Sequence, residues 1–207
     1  VLDKKVILIG YSGHAYVVAD IAIENQYNII GYTEKSRVVN NPFNLNYAGY
    51  EREIDFFEKN KKIGFIIGIG DNLIREKIYN LITSKNAEIT TLISCTASIS
   101  QSAKINSGTF VNRNVSINAL AKIGKNVILN TACVIDHECE ISDSVHIGPG
   151  AVLAGNVLVG ERTFIGANSV IKQGVQIGKD VIVGAGTVVL CDIPDGKKIV
   201  GNPSRFI

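Results

Sequence analysis

The chain carries no excess of charge, no long apolar run and few residues of the kind that bind metals. Its 207 residues hold 21 Lys and Arg against 19 Asp and Glu, a net charge of +2. That balance offers no field to draw in nucleic acid or a membrane surface as the main partner. No apolar stretch approaches the roughly 20 residues of a membrane span. Val6 to Ile9 is too short for a secretory leader and is followed at once by Gly10, so a cytoplasmic location is expected. The four cysteines, Cys95, Cys133, Cys139 and Cys191, have no CxxC spacing and read as reduced thiols, not as disulfides or metal ligands. Only three histidines exist, His14, His137 and His146. Three imidazoles would suit zinc, but just two fall in one stretch of pattern, so no metal is expected.

What the chain does have is a repeat. From Ile93 to Val189 every sixth residue is aliphatic, passing through Ile117, Ile135, Leu153 and Ile171. Two places earlier stands a small or β-branched residue, as at Ala121, Cys133, Ala151 and Thr163. One place later a turn-former is usual, as at Asn112, Gly124, Asp136 and Gly166. A period of six is neither helical nor a strict alternation, and a repeat of this kind sets the architecture. Six residues make a short strand and a corner, and three such faces close one coil of a parallel β-helix. The aliphatic residue points inward, and the Gly, Asn or Asp after it is expected to take left-handed backbone angles at the corner.

Before residue 90 the pattern alternates between strand and helix. Strands are expected over 4–10, 28–32, 64–69 and 88–92, and helices over 13–25, 52–60 and 72–84, with a polar loop from Lys35 to Asn46. Such alternation predicts a small Rossmann-like parallel α/β domain over residues 1–90, followed by the β-helix over 91–207. The fold class is thus α/β plus all-β.

Two glycine-bearing turns fall at the carboxyl ends of predicted strands. They are Gly10-Tyr11-Ser12-Gly13-His14 and Gly68-Ile69-Gly70-Asp71-Asn72. This edge is where parallel sheets bind ligands, and a helix N-terminus there favours phosphate. Either turn could equally be a plain connection, with Asp71 or Asn72 serving only as a helix cap. On the coils, Asp136-His137-Glu138 places an imidazole beside a carboxylate at a corner, a pairing suited to a general base near neutral pH. His146 follows nine residues later, half a coil away, and the phase of the repeat puts both histidines outside, on separate faces. The two histidines could share a site only across subunits, as in a symmetric trimer.

With these residues in place, the chain resembles the hexapeptide-repeat sugar acetyltransferases of the PglD and NeuD type, which have a left-handed β-helix. The likeness rests on Gly10 to His14, on Ile69-Gly70-Asp71-Asn72 with Arg75, on Asp136-His137-Glu138, on His146 to Ala151, on Leu153 to Val157 and on Gly201 to Arg205. It implies an acetyl-CoA-dependent N-acetyltransferase that modifies an amino-deoxy sugar linked to a nucleotide, in the synthesis of surface glycans. His137 would be the base and Glu138 its orienting partner. His146, Gly155, Ala167 and Ala185 would contact acetyl-CoA. Gly10, Ser12, Gly13, His14, Glu34, Gly70, Asp71 and Asn72 would hold the nucleotide sugar, and a homotrimer would complete the sites between subunits. One departure from the pattern is Tyr32-Thr33-Glu34, which keeps one acid where adjacent acids are usual. UDP is the expected nucleotide, with GDP as the alternative. O-acetylation of a sialic acid and a non-catalytic trimeric scaffold are the other readings, and the Lys35–Asn46 loop is expected to help select the acceptor.

Overall fold

The computed structural model describes residues 4–207, which divide into two compact units with the boundary between Leu92 and Ile93. In the first unit, β1 (Lys5–Ile9) is central. It pairs in parallel with β2 (Asn28–Thr33) on one side and β4 (Gly64–Ile67) on the other. An edge strand absent from the sequence expectation, β3 (Tyr47–Gly49), adds to β2. The order is β3-β2-β1-β4. Of the predicted strand over 88–92, Ile89 makes one bridge, to Phe65, and Leu92 opens the first short strand of the repeat, Leu92–Ile93. The amides of the predicted strand still serve β4: Phe65 N–H donates to Glu88 O at 2.8 Å, and Thr90 N–H to Phe65 O at 2.8 Å.

The connecting helices are α1 (Gly13–Glu24), α2 (Phe56–Lys59) and α3 (Asn72–Ser84). Helix α2 is much shorter than the predicted span of 52–60. The buried face of α1 is Ala15, Val18, Ala19, Ile21 and Ala22. Its small residues let the helix lie close to a sheet whose β1 is buried from Val6 to Ile9, where large aliphatics on both layers would overfill the space.

In the second unit, strands pair with partners 18 residues on. Ser98–Ile99 meets Ser116–Ile117, Lys104–Ile105 meets Lys122–Ile123, and Phe110–Val111 meets Ile128–Leu129. Three hexads therefore make one coil, and three parallel sheets form the faces of a prism. The inward row, including Ile117, Ile135, Leu153 and Ile171, is essentially inaccessible to solvent, and so is the row two places earlier, including Ala121, Cys133, Cys139 and Ala151. Burial pushes the Cys133 thiol up to about 12, as expected for a thiol that stays protonated in an apolar core. Cys95 and Cys191 are exposed free thiols, outside the core.

The corners correct one expectation. Left-handed backbone angles occur three places after the inward aliphatic, not one. Asn114, Leu120, Asn126, Ala132, Glu138 and Ser144 all have φ between 56° and 64°. The glycines one place after it have another reason to be glycine: the next coil passes directly over them. A β-carbon on Gly166 would sit 2.5 Å from Ala185 N and 2.6 Å from Gly184 C. The repeat also runs beyond Val189 through Ile193 and Ile199, both buried. There the coil shortens by two residues, because Ile177 bridges to Ile193, 16 positions on. The Asp192 carboxylate accepts from Gln176 N–H at 2.8 Å in that short coil.

Candidate active site

Glycines bring the two N-terminal turns together. A β-carbon on Gly10 would meet Ile69 Cγ1 at 2.9 Å, and one on Gly68 would meet Ala15 Cβ at 2.6 Å. Gly10 also has φ +83°, a region that L side chains resist. Gly13, the first residue of α1, faces open space, and Ser12 precedes it as an exposed cap whose side chain makes no capping bond. Beside these turns lies a cavity of about 530 Å³. Gly10, Ser12, Glu34, Gly70 and Asp71 line it, as do Lys35, Glu51, Arg52 and Lys77. Five of the predicted acceptor-binding residues thus share one cleft. Gly13, His14 and Asn72 adjoin those turns in sequence but are not among its lining residues.

Sequence reading missed Glu51, Arg52 and Lys77. Glu51 is 7% exposed and accepts from the Thr33 hydroxyl at 2.9 Å. It follows the unforeseen strand β3, so nothing in its local pattern pointed to a cleft. Three cations on the rim give the cleft the means to hold a diphosphate. Glu34 is partly committed elsewhere, since its Oε1 accepts from Tyr11 N–H at 2.9 Å. Tyr11 is itself buried and stacked on Tyr32 with ring centres 4.4 Å apart. The Tyr11 hydroxyl donates to Asn41 Oδ1 at 2.8 Å and accepts from Phe43 N–H at 3.2 Å. The Lys35–Asn46 loop is therefore tied to the first glycine turn.

Asp71 caps α3, its carboxylate accepting from Ile74 N–H at 2.9 Å, so the structural reading of this residue holds alongside its place in the cleft. Arg75, 1% exposed, pins the second turn. It donates to Gly70 O at 2.9 Å and to Asn72 Oδ1 at 2.9 Å. The Asn72 side chain is thus engaged from within the turn, which is the reason for an arginine one helical turn into α3. Desolvation lowers the Arg75 guanidinium to about 9, still charged at neutral pH.

Burial and then the charge of Arg75 lower His14 to about 4. The unfolded chain, near 6.5, binds that proton more readily. The effect on stability is thus absent above pH 6.5 and grows as pH falls from 6.5 towards 4. Lowering the pH from 7 to 5 is expected to cost on the order of 1–2 kcal/mol through this residue. Urea unfolding at both pH values should show a correspondingly smaller difference for His14→Gln; an equal difference would remove His14 as the cause.

On the coils, His137 Nδ1 lies 3.1 Å from Glu138 Oε2, and both side chains are about half exposed. The backbone N–H of His137 donates to Asp136 Oδ1 at 2.8 Å, and Asn118 Nδ2, one coil earlier, donates to the same oxygen at 2.8 Å. Asn118 first, then the His137 N–H, holds the Asp136 carboxyl below the usual carboxylate range. Gly155, 18 residues after His137, was expected to make room for a cofactor. The His137 ring packs against it: Nδ1 lies 3.0 Å from where a β-carbon would be, and Cε1 and Nε2 lie nearer still. Gly155 is thus part of the seat of the His137 ring.

His146 differs from expectation in being sheltered. It is 9% exposed, lies between Ile128 and Phe164 in its sheet, and meets the Phe164 ring edge-on with centres 5.0 Å apart. It occupies a different face from the strand preceding His137, so one chain does not unite the two imidazoles. Ala167 and Ala185 fall at the corner after the face that carries His146, the first half-buried and the second exposed, and Gly186 N–H joins their coils by donating to Ala167 O at 2.8 Å. Among the described residues, no group of three or more His, Cys, Asp or Glu is arranged to hold a metal, and no helix is long and apolar enough to cross a membrane.

Comparison with known proteins agrees with this geometry. Residues 5–82 match the PglD N-terminal domain, 138–173 the bacterial transferase hexapeptide and 157–191 the hexapeptide repeat of succinyl-transferase. A search of curated proteins gave no match. Among solved structures, PerB from Caulobacter crescentus, in complex with CoA and GDP-perosamine, is 32% identical, with a TM-score of 0.93 over 98% of this chain and 97% of that one. The acetyltransferase domain of PglB from Neisseria gonorrhoeae, in complex with acetyl coenzyme A, is 31% identical, with a TM-score of 0.92 over 99% and 100%. WeeI from Acinetobacter baumannii is 26% identical, with a TM-score of 0.88 over 98% and 100%. With its Rossmann-like domain, its left-handed β-helix and relatives at this identity along the whole chain, the protein belongs to the PglD-type hexapeptide-repeat sugar N-acetyltransferases.

Proposed function

We propose that the protein transfers the acetyl group of acetyl-CoA to the amine of a nucleotide-linked amino-deoxy sugar, with His137 as general base. The observation that carries this reading is the His137–Glu138 pair seated on Gly155. With Nδ1 directed at the carboxylate, Nε2 is the nitrogen left to take a proton. As the amine attacks the thioester carbonyl, its proton passes to His137 Nε2; the C–S bond then breaks, and His137 returns the proton to the departing sulfur so that CoA leaves as its thiol. Attack is direct and needs no acyl-enzyme, since holding amine and thioester together supplies much of the barrier reduction. His146, Ala167 and Ala185 are proposed to contact acetyl-CoA. Because His137 and His146 stand on different faces, the site would be completed in a homotrimer by a neighbouring subunit.

The cleft lined by Gly10, Ser12, Glu34, Gly70 and Asp71 would receive the nucleotide, with Lys35, Arg52 and Lys77 offsetting the charge of its phosphates. The Caulobacter relative is in complex with GDP-perosamine, which favours an amine acceptor over a sialic acid hydroxyl and brings GDP level with UDP. A ligand that binds only the native state raises its stability, by about 2.7 kcal/mol at a hundred times its Kd. Either GDP or UDP is therefore expected to raise the thermal midpoint while the other does less, and a midpoint indifferent to both would remove the nucleotide from the reading. Thiol release from acetyl-CoA with 4-amino sugars on the stabilising nucleotide, set against free sialic acid, then identifies the acceptor class.

A further inference from the structure

Each end of a chain of side-chain amides below His146 is fixed by a backbone donor, so the orientation of every amide is determined. Asn112 is 1% exposed, and its Oδ1 accepts from Arg113 N–H at 2.7 Å. A backbone N–H can only donate, so the other atom of that amide must be Nδ2, which points at Asn130 Oδ1 at 2.9 Å across one coil. Asn130 Oδ1 also accepts from Thr131 N–H at 2.8 Å. With its oxygen held by two donors, Asn130 turns its own Nδ2 to His146 Nε2, 3.4 Å away. A donor facing Nε2 requires a lone pair there, and the single proton of a neutral imidazole then belongs on Nδ1. His137 is arranged differently, since its Nδ1 faces a carboxylate and its Nε2 is left as the base.

We propose that Asn112 and Asn130 are positioning residues that fix the neutral ring of His146 with its proton on Nδ1, so that this histidine acts as a hydrogen-bond donor to the acyl carbonyl and not as a second base. The target of that donor rests on the acetyl-transfer reading above; the tautomer does not. The T-shaped contact with Phe164 holds the plane of the ring, and the amide relay decides which nitrogen carries hydrogen. Orienting a donor before reaction is how an enzyme stabilises charge developing on a carbonyl oxygen.

The chain has only three histidines, so long-range nitrogen–proton correlation of protein labelled with 15N in histidine can resolve each ring, with His146→Gln and His137→Gln giving the assignment. At mildly alkaline pH, wild-type His146 is expected to show a protonated Nδ1 and a bare Nε2; the opposite pattern overturns the proposal without any variant. Asn130→Asp places a carboxylate against Nε2 and should move the proton there, lowering kcat by about 10²-fold with KM for acetyl-CoA little changed. An unchanged spectrum for that variant would show that Asn130 does not set the tautomer. A reversed spectrum with full kcat would overturn the donor role. Asn112→Asp should give the same reversal from one coil away, by forcing the Asn130 amide to turn, and an unaltered His146 in that variant would remove Asn112 from the relay. Failure of the acetyl-transfer reading itself would appear elsewhere, as absence of thiol release by the wild-type protein.

Discussion

His137→Ala is expected to lower kcat by about 10²- to 10⁴-fold, the usual contribution of a positioned general base, while thermal stability stays near that of the wild type. The ring is about half exposed and its carboxylate partner more so, so its removal uncovers little apolar area and strands no buried charge. Steady-state thiol release is the check, and the loss should fall on kcat with KM for acetyl-CoA and for the acceptor little changed. An unchanged kcat would place the base elsewhere. Glu138→Gln should act on the same step with a smaller loss, because the amide can still accept from Nδ1–H but no longer favours the charged ring.

The largest expected loss of stability comes from a single methyl group. Gly166→Ala would drive a β-carbon into the backbone of the following coil, against Ala185 N at 2.5 Å and Val183 O at 2.7 Å. Backbone cannot rotate away as a side chain would, so the coils must separate locally, at a cost of about 3 kcal/mol, the upper end of ordinary overpacking. Gly174→Ala is the control. That glycine has φ +75° with nothing near its missing side chain, so alanine there should cost only the left-handed backbone penalty of about 1 kcal/mol. Alanine already occupies such an angle at Ala132, with φ 56°. Chemical denaturation of both variants measures the contrast; equal losses would mean that close stacking of coils is not what requires glycine after the inward aliphatic.

That contrast also shows where pattern and structure part. The hexads place Ile135 inside and His137 two places past it at a corner, and from this follow the exposure of its ring and its nearness to Glu138. They do not distinguish two kinds of glycine, because a repeat shows that a position is small without showing what passes above it. Strand β3 was illegible because three residues after a polar loop carry no period. Glu51 and Arg52, which follow it, were missed with it.

Taken alone, the sequence determined the coil: a six-residue period fixes two inward rows and a pairing 18 residues on, since both are properties of local backbone and apolar alternation. It also located the glycine turns at the strand ends and the His–Glu pair, since adjacent residues stay adjacent in any fold. Only the tertiary structure decided what meets across coils and turns. It placed Gly155 under the ring of His137, Asn112 and Asn130 in line with His146, and Arg75 against Gly70 and Asn72. It also sheltered His146, which counting within the repeat had placed on the exposed surface. These contacts join residues 3 to 18 positions apart through side-chain shape and hydrogen-bond direction, and neither is written in a hydrophobic period.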